Sequence, residues 1–427
     1  LAMVIMQTNL KRDLMGYSNQ FFQALGVDSN SSKEIKVAAA KAGIPVARFN
    51  HYNKTNTLPS GEDLRLIQNA FGVSELELKL KIGRIDRSTI ELIQQYSEQV
   101  LGVIGRAEDV ADAGPEKMEP VFSSPFGSLY QQDCLQFLKT VESDSVDLVF
   151  ADPPFNLDKL YPSNMDDNIK EEEYLSWTES WLKESIRVLK QGGALFIWNL
   201  PLWNSNISSF LHGRLTFKHW IAVDIKYSLP IQGRLYPSHY SLLYFVKGEK
   251  GNKLVADRLP TPTCPSCFDN LKDYGGYKHK MNPQGVSLTD VWTDTPPVRH
   301  AKYKKRTGAN ELPVKLLDRV IEMSTNEGDL VLDPFGGSGT TFVVAELKGR
   351  RWVGCEIGPC EDIVNRFDSI QDDKANLDSI RSNLNYLYTP IIKKEREARG
   401  LWTAESVARN NIEPKPYVKD VPEFKLI

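Results

Sequence analysis

Residues 328–349, GDLVLDPFGGSGTTFVVAELKG, contain the transition that decides the fold. The apolar run before Asp333 reads as a strand that stops at that residue, and helical patterning starts at Thr340. Between them Gly336, Gly337 and Gly339 let the backbone approach a ligand where a Cβ would stand in the way. The next strand, RRWVGCEIG at 350–358, closes on Glu356, 17 positions after Gly339, where a carboxylate can accept both hydroxyls of a ribose. The series of strand, glycine loop, helix and acid-ended strand predicts an α/β site for an adenosine-like cofactor. No Lys-Ser/Thr pair follows the glycines, which excludes a P-loop, and Phe342 stands where a dinucleotide fingerprint carries its third glycine.

Working outward, SVDLVFA (145–151), GGALFIWN (192–199) and HYSLLYFVKG (239–248) read as further strands. EYLSWTESWLKESIRVLK (173–190) reads as a helix between two of them. Such alternation predicts a doubly wound, mostly parallel sheet. One of these strands runs into VFADPPFNL, residues 149–157, where two prolines stiffen the loop and remove backbone donors directly after an acid.

The order of the two stretches is informative. ADPPFNL followed some 180 residues later by LDPFGGSGTT resembles the β-group of S-adenosylmethionine-dependent DNA amino-methyltransferases, in which the catalytic motif precedes the cofactor motif. The resemblance spans roughly 125–360 and includes QQDCLQFLKTVESDSVDLVFADPPF, LKQGGALFIWN, RLYPSHYSLLYFVKG and NELPVKLLDRVIEMSTNEGDLVLDPFGGSGTT. It implies a Rossmann-like methyltransferase fold, S-adenosylmethionine as cofactor and duplex DNA as partner, with the target base flipped out of the stack.

By that resemblance Asp152, Pro153, Pro154 and Phe155 form the catalytic motif. Asp152 and the Pro153 carbonyl each accept an N–H of an exocyclic base amine, and Phe155 stacks on the base. The loop of Gly336, Gly337 and Gly339, with Asp333 and Phe335, holds the methionine part of the cofactor, and Glu356 holds the ribose. Asp133 matches an acidic position on the adenine side, although Gln132 precedes it where glycine is more usual, and Lys315 lies on a helix flanking the cofactor's tail. Asp rather than Ser before Pro-Pro resembles adenine-N6 more than cytosine-N4 enzymes. The family context suggests modification in a restriction-modification system.

The remaining chain supplies candidates for holding DNA. Residues 34–82 read as short helices broken at Gly43, Pro45 and LPSGED, a pattern that resembles the helix-turn-helix domain of the lambda-repressor-like family. Its second helix carries Arg48, His51 and Lys54 toward a major groove. Residues 270–310 hold eight basic side chains against three acidic ones, interleaved with Tyr274, Tyr277, Trp292 and Tyr303. Lys302, Lys304, Lys305 and Arg306 are the expected phosphate contacts of a target-recognition interval. Cys264 and Cys267 have the spacing of half a zinc site, but no matching pair accompanies them and a tight turn is preferred, so no metal is expected.

The expected organisation is a helical helix-turn-helix domain at 1–105, a linker at 106–120 and the catalytic half at 121–248. A recognition insertion at 249–310, the cofactor half at 311–360 and a C-terminal helical extension at 361–427 complete it. With 52 basic and 55 acidic residues in 427, and 41% hydrophobic content, the chain is not globally basic. Five cysteines suggest no disulfide framework, LAMVIM is too short for a signal segment and no run suits a membrane span, so a cytoplasmic protein is expected. A homodimer is a further expectation. Two other readings stay open: a DNA-binding regulator with a vestigial methyltransferase domain, and the same chemistry on RNA or a protein amide.

Overall fold

The computed structural model describes residues 20–55, 57–104, 118–156, 169–225, 233, 235, 238–259, 275–276, 279, 286–296, 311–382, 394–395 and 397–400. The chain divides into two compact units, Leu1–Gly114 with Lys170–Glu173, and Pro115–Ile169 with Tyr174–Ile427.

The described elements of the first unit are all helices: α1 (Gln20–Ala24), α2 (Ser32–Ala42), α3 (Val46–Thr55), α4 (Gly61–Phe71), α5 (Glu75–Lys81), α6 (Arg87–Gln95) and α7 (Ser97–Ile104). Ser31 caps α2 by accepting from the Glu34 amide, and Gly43 ends it in the left-handed region at φ 69°, a conformation glycine adopts without strain. Pro45 stands immediately before α3, so α2 and α3 are separated by a three-residue turn. Phe49 of α3 is fully buried against Phe21 and Phe22, with ring centroids 5.5 and 5.2 Å away. Small Ala38, Ala39 and Ala42 let α2 pack close to this cluster.

The second unit is built on a nine-stranded sheet. Its strands are β1 (Phe122–Ser123), β2 (Gly127–Gln131), β3 (Val146–Ala151), β4 (Leu189–Asn199), β5 (Thr216–Asp224), β6 (His239–Val246), β9 (Val291–Trp292), β10 (Leu330–Asp333) and β11 (Arg351–Glu356). β7 (Arg258–Leu259) and β8 (Val286–Ser287) make a separate antiparallel pair. The spatial order is β1-β2-β11-β10-β3-β4-β6-β5-β9. From β2 to β4 every pairing is parallel, whereas β6 runs antiparallel to both β4 and β5.

Side-chain alternation sends successive residues of the central strands to opposite faces. Leu148 and Phe150 of β3 and Phe196 and Trp198 of β4 join one core, while Val149 and Ala151 of β3 and Leu195 and Ile197 of β4 join the other. Both sets are buried, which accounts for the near-continuous apolar runs in the sequence. The first face is covered by α11 (Val314–Ser324), α12 (Thr340–Leu347), α13 (Glu361–Asp368) and α14 (Ile370–Ser382), through residues such as Leu317, Phe342, Ile363 and Leu377. The second face is covered by α8 (Cys134–Thr140), α9 (Glu171–Val188) and α10 (Pro201–Leu211), through Phe137, Trp181 and Ile207. Helices on both sides of a mostly parallel sheet make this a doubly wound α/β unit.

Candidate active site

The sheet order brings the scattered acids of the sequence to one edge. β10 lies beside β3 in register Val331↔Leu148 and Leu332↔Val149, although the two strands are far apart in sequence. β11 lies beside β10, and β2 beside β11 with Gln131 opposite Glu356. These four strands are parallel, so their carboxyl ends point the same way, and each delivers an acid there. Asp152 follows β3, Asp333 ends β10, Glu356 ends β11 and Asp133 follows β2. The carboxyl edge of such a sheet is where α/β proteins bind ligands.

The loop after β3 is held from outside itself. Tyr174 Oη on α9 donates to the carbonyl of Pro154 at 2.7 Å, and Trp203 Nε1 on α10 donates to the carbonyl of Phe155 at 2.6 Å. Asn199, the last residue of β4, donates through Nδ2 to Tyr174 Oη at 3.2 Å and accepts from the Leu200 amide at 2.7 Å. Asn156 has a left-handed φ of 53°, and its side chain pairs in both directions with the backbone of Ile169. Asn tolerates that region better than most residues because its short amide can bond locally. Pro153 and Phe155 are buried and Asp152 is half-buried. Tyr240, the second residue of antiparallel β6, approaches the Phe155 ring at 6.3 Å and the Trp198 ring at 4.8 Å. Burial, followed by the nearby charge of Asp152, pushes the Tyr240 phenol above its ordinary pKa.

The glycine loop is shaped by the strands beneath it. A Cβ on Gly336 would stand 3.0 Å from both the Cys355 carbonyl and the Phe342 ring, so this position accepts no larger residue without movement there. Gly337, at φ 52°, is exposed, and its amide donates to Glu356 Oε2 at 2.7 Å. The Gly358 amide donates to Glu356 Oε1 at 2.8 Å, so the carboxylate ties the end of β11 to the loop. A carboxylate has about four acceptor sites and keeps capacity for hydroxyl donors beyond these two bonds. Asp333 is buried, accepting from the Phe335 amide at 2.9 Å and from the Thr341 hydroxyl at 2.6 Å. Burial pushes its pKa up to about 7, against those two hydrogen bonds, which favour the carboxylate.

The structure gives other expected residues more local roles. Asp133 is the N-cap of α8, accepting from the amides of Leu135 and Gln136. The Phe335 ring packs against Trp177 and Trp181 on the second face of the sheet, leaving its backbone as the part that joins the loop. Lys315 bonds both the carbonyl and the carboxylate of Asp294, at 3.0 and 2.7 Å. Burial opposes ionisation of Asp294, yet Arg319 and Lys315 together hold its carboxyl well below the usual range. On α3, Arg48 pairs with Asp63 at 3.2 Å while remaining largely exposed, and His51 and Lys54 are also exposed. Lys302, Lys304, Lys305, Arg306, Cys264 and Cys267 lie outside the described residues. Among the described residues no cluster of His, Cys, Asp and Glu suits a metal ion, and no helix is long and apolar enough to cross a membrane.

A doubly wound sheet that presents Asp-Pro-Pro-Phe beside a glycine loop closed by an acid-ended strand is the architecture of an amino-methyltransferase. The chain belongs to the family described as DNA methylase, of the N6/N4 type, which matches residues 146–365. It is therefore a DNA methyltransferase of the adenine or cytosine-N4 class. It is 42% identical over 393 residues to Type II methyltransferase M.BamHI of Bacillus amyloliquefaciens, covering 90% of this chain and 93% of that protein. It is 31% identical over 246 residues to DNA adenine methyltransferase YhdJ of Escherichia coli (strain K12), covering 55% of this chain and 80% of that one. Among solved structures, the PvuII DNA methyltransferase (cytosine-N4-specific) is similar at a TM-score of 0.44 and 21% identity, covering 60% of this chain and 94% of that one.

Proposed function

We propose that the chain methylates an exocyclic amine of a base in duplex DNA at a specific site, with S-adenosylmethionine as donor, as the modification enzyme of a restriction-modification system. The observation that carries this reading is the adjacency of β3 and β10, which brings the Asp-Pro-Pro-Phe loop and the glycine loop to one sheet edge. The similarity to Type II methyltransferase M.BamHI over nine-tenths of the chain supports the restriction-modification role.

The residues present fit the donor. Gly337 lies exposed on the loop, and Glu356 keeps acceptor capacity at the ribose end beyond the two amide bonds it already accepts. The loop with Asp333 would hold the methionine part, and Asp133 would lie on the adenine side. Bound there, S-adenosylmethionine supplies an electrophilic methyl group on a sulfonium.

The protein's own task is to make a poor nucleophile attack. The lone pair of a base amine is delocalised into the ring, so Asp152 and the Pro153 carbonyl each accept one N–H and draw the nitrogen toward tetrahedral geometry. The next two carbonyls of the loop are already occupied by Tyr174 and Trp203, which fixes the direction of the chain at Pro153. As nitrogen gains positive charge, the preorganised Asp152 carboxylate stabilises it more than it stabilises the ground state. Asp152 then holds the released proton or passes it to water. Phe155 receives the flipped base by stacking, with Tyr240 beside it.

The domain division at 1–105, 106–120, 121–248, 249–310, 311–360 and 361–427 forms part of the same proposal. The N-terminal helical unit acts as a DNA-contacting module through the exposed face of α3, and the 270–310 interval supplies phosphate contacts. The test is transfer of labelled methyl from S-adenosylmethionine to duplex DNA. Incorporation that Asp152→Asn abolishes, while donor binding persists, supports the assignment. Equal incorporation by the Asp152→Asn variant would refute it.

A further inference from the structure

α13 and α14 lie in the charged C-terminal stretch, and α13 touches the glycine loop directly, with α14 behind it. Arg366 of α13 is 5% exposed. Its Nη1 donates to the Ser338 carbonyl at 3.0 Å and to Thr340 Oγ1 at 2.7 Å. Its Nε and Nη2 donate to the two carboxylate oxygens of Asp373 on α14 at 2.7 and 3.0 Å, and Glu311 approaches Nη2 at 3.7 Å. One turn earlier, Ile363 fills the space beneath the loop, where a Cβ on Gly339 would stand 2.7 Å from Ile363 Cγ2. Gly339 is therefore required twice, by this contact and by its φ of 74°.

A buried guanidinium is costly unless its donors are satisfied, and a bidentate carboxylate is the arrangement that satisfies them most fully. Here two of its contacts go to Ser338 and Thr340, which flank the left-handed Gly339 at the start of α12. Those two contacts set where the loop turns. Van der Waals support from Ile363 holds the same residue from below.

We infer that Arg366 is a positioning residue for the methyl donor. Backed by Asp373, it fixes the 336–339 turn through Ser338 and Thr340, so that the loop backbone is already placed when the donor arrives. This rests on the proposed assignment of that loop to S-adenosylmethionine.

Calorimetric titration of the full chain with S-adenosylmethionine tests it, using Arg366→Met, Arg366→Lys, Asp373→Asn and, as a control on the loop itself, Gly336→Val. Losing charge-assisted bonds to the loop should weaken donor affinity roughly tenfold or more in Arg366→Met. Asp373→Asn should weaken it less, and Arg366→Lys should recover part of the loss. Duplex DNA affinity measured without donor should stay within about twofold, which a role in general stability alone would not produce. Should Arg366→Met fail to fold, Arg366→Lys and Asp373→Asn carry the same comparison. Donor affinity unchanged in the folded Arg366 and Asp373 variants, with affinity lost in Gly336→Val, would overturn the inference and leave the loop assignment standing. Unchanged affinity in Gly336→Val would overturn the loop assignment and the inference with it.

Discussion

Tyr174→Phe removes a single oxygen from a residue that is 2% exposed, and that oxygen joins three elements. It donates to the Pro154 carbonyl at 2.7 Å and accepts from Asn199 Nδ2 at 3.2 Å, so α9, the catalytic loop and the end of β4 meet at it. The Phe ring keeps the packing against Trp203, whose centroid lies 4.7 Å away, so the change isolates the polar contribution. Leaving a buried donor or acceptor unpaired costs about 1–3 kcal/mol, and two groups lose their partner here. The midpoint of thermal unfolding should fall by several degrees. The larger effect should be on rate. Pro154 adjoins the Pro153 carbonyl proposed to accept an amine N–H, and a misplacement of about 1 Å at a reacting centre costs on the order of 100-fold. Single-turnover methyl transfer should slow roughly 10- to 100-fold while donor and DNA dissociation constants stay within about threefold. A rate within twofold of the parent, or equal losses in binding and rate, would refute the view that Tyr174 orients the loop.

Two further outcomes follow from the geometry and a third from the sequence. Gly354→Ala places a Cβ where the Asp333 carbonyl and the Phe342 ring already stand, so β10, β11 and α12 must separate; denaturant unfolding should show a loss of at least about 1–3 kcal/mol, and an unchanged midpoint would contradict the close strand packing. Asp333 keeps its proton in the folded state up to about pH 7, whereas in the unfolded chain it loses it near pH 4. Raising pH from about 4 to about 7 should therefore lower stability by up to about 1.4 kcal/mol per pH unit, and Asp333→Asn should remove that slope in unfolding measured across the range. Replacing Lys304, Lys305 and Arg306 by Gln should weaken binding to all duplexes alike and reduce the dependence of log K on log salt by about one unit per lost phosphate contact; an unaltered slope would exclude these side chains from the backbone contact.

The central strands and the two loops were legible because their signals are local. A strand buried on both faces must be largely apolar, as VDLVFA is apart from Asp147, whose carboxylate pairs with Lys190, and a backbone that turns tightly under a ligand must contain glycine. β2 and β5 went unread because GSLYQ and TFKHWIAVD mix polar and apolar residues in the manner of partly exposed strands. The antiparallel insertion of β6 between β4 and β5 was equally hidden, since strand polarity leaves no mark in composition. Tyr174 and Trp203 look like ordinary core aromatics on helices; nothing in their spacing reveals that their polar tips reach loop carbonyls. Glu356 was expected only to meet a ribose, and its bonds to the Gly337 and Gly358 amides depend on a tertiary approach between loop and strand. α13 and α14 read as a charged extension because Arg366, Asp373 and Arg381 are polar letters. In the fold they are largely buried and paired, with Ile363 and Leu377 in the core.

The most direct measurement is nucleoside analysis by mass spectrometry of duplex DNA incubated with the protein and S-adenosylmethionine, with Asp152→Asn in parallel. An exocyclic amine product, N6-methyladenine or N4-methylcytosine, is expected from the parent protein and absent from the variant, and its identity names the base. A methyl group on a ring carbon, or the same product from both proteins, would contradict a mechanism in which Asp152 and the Pro153 carbonyl activate a base amine.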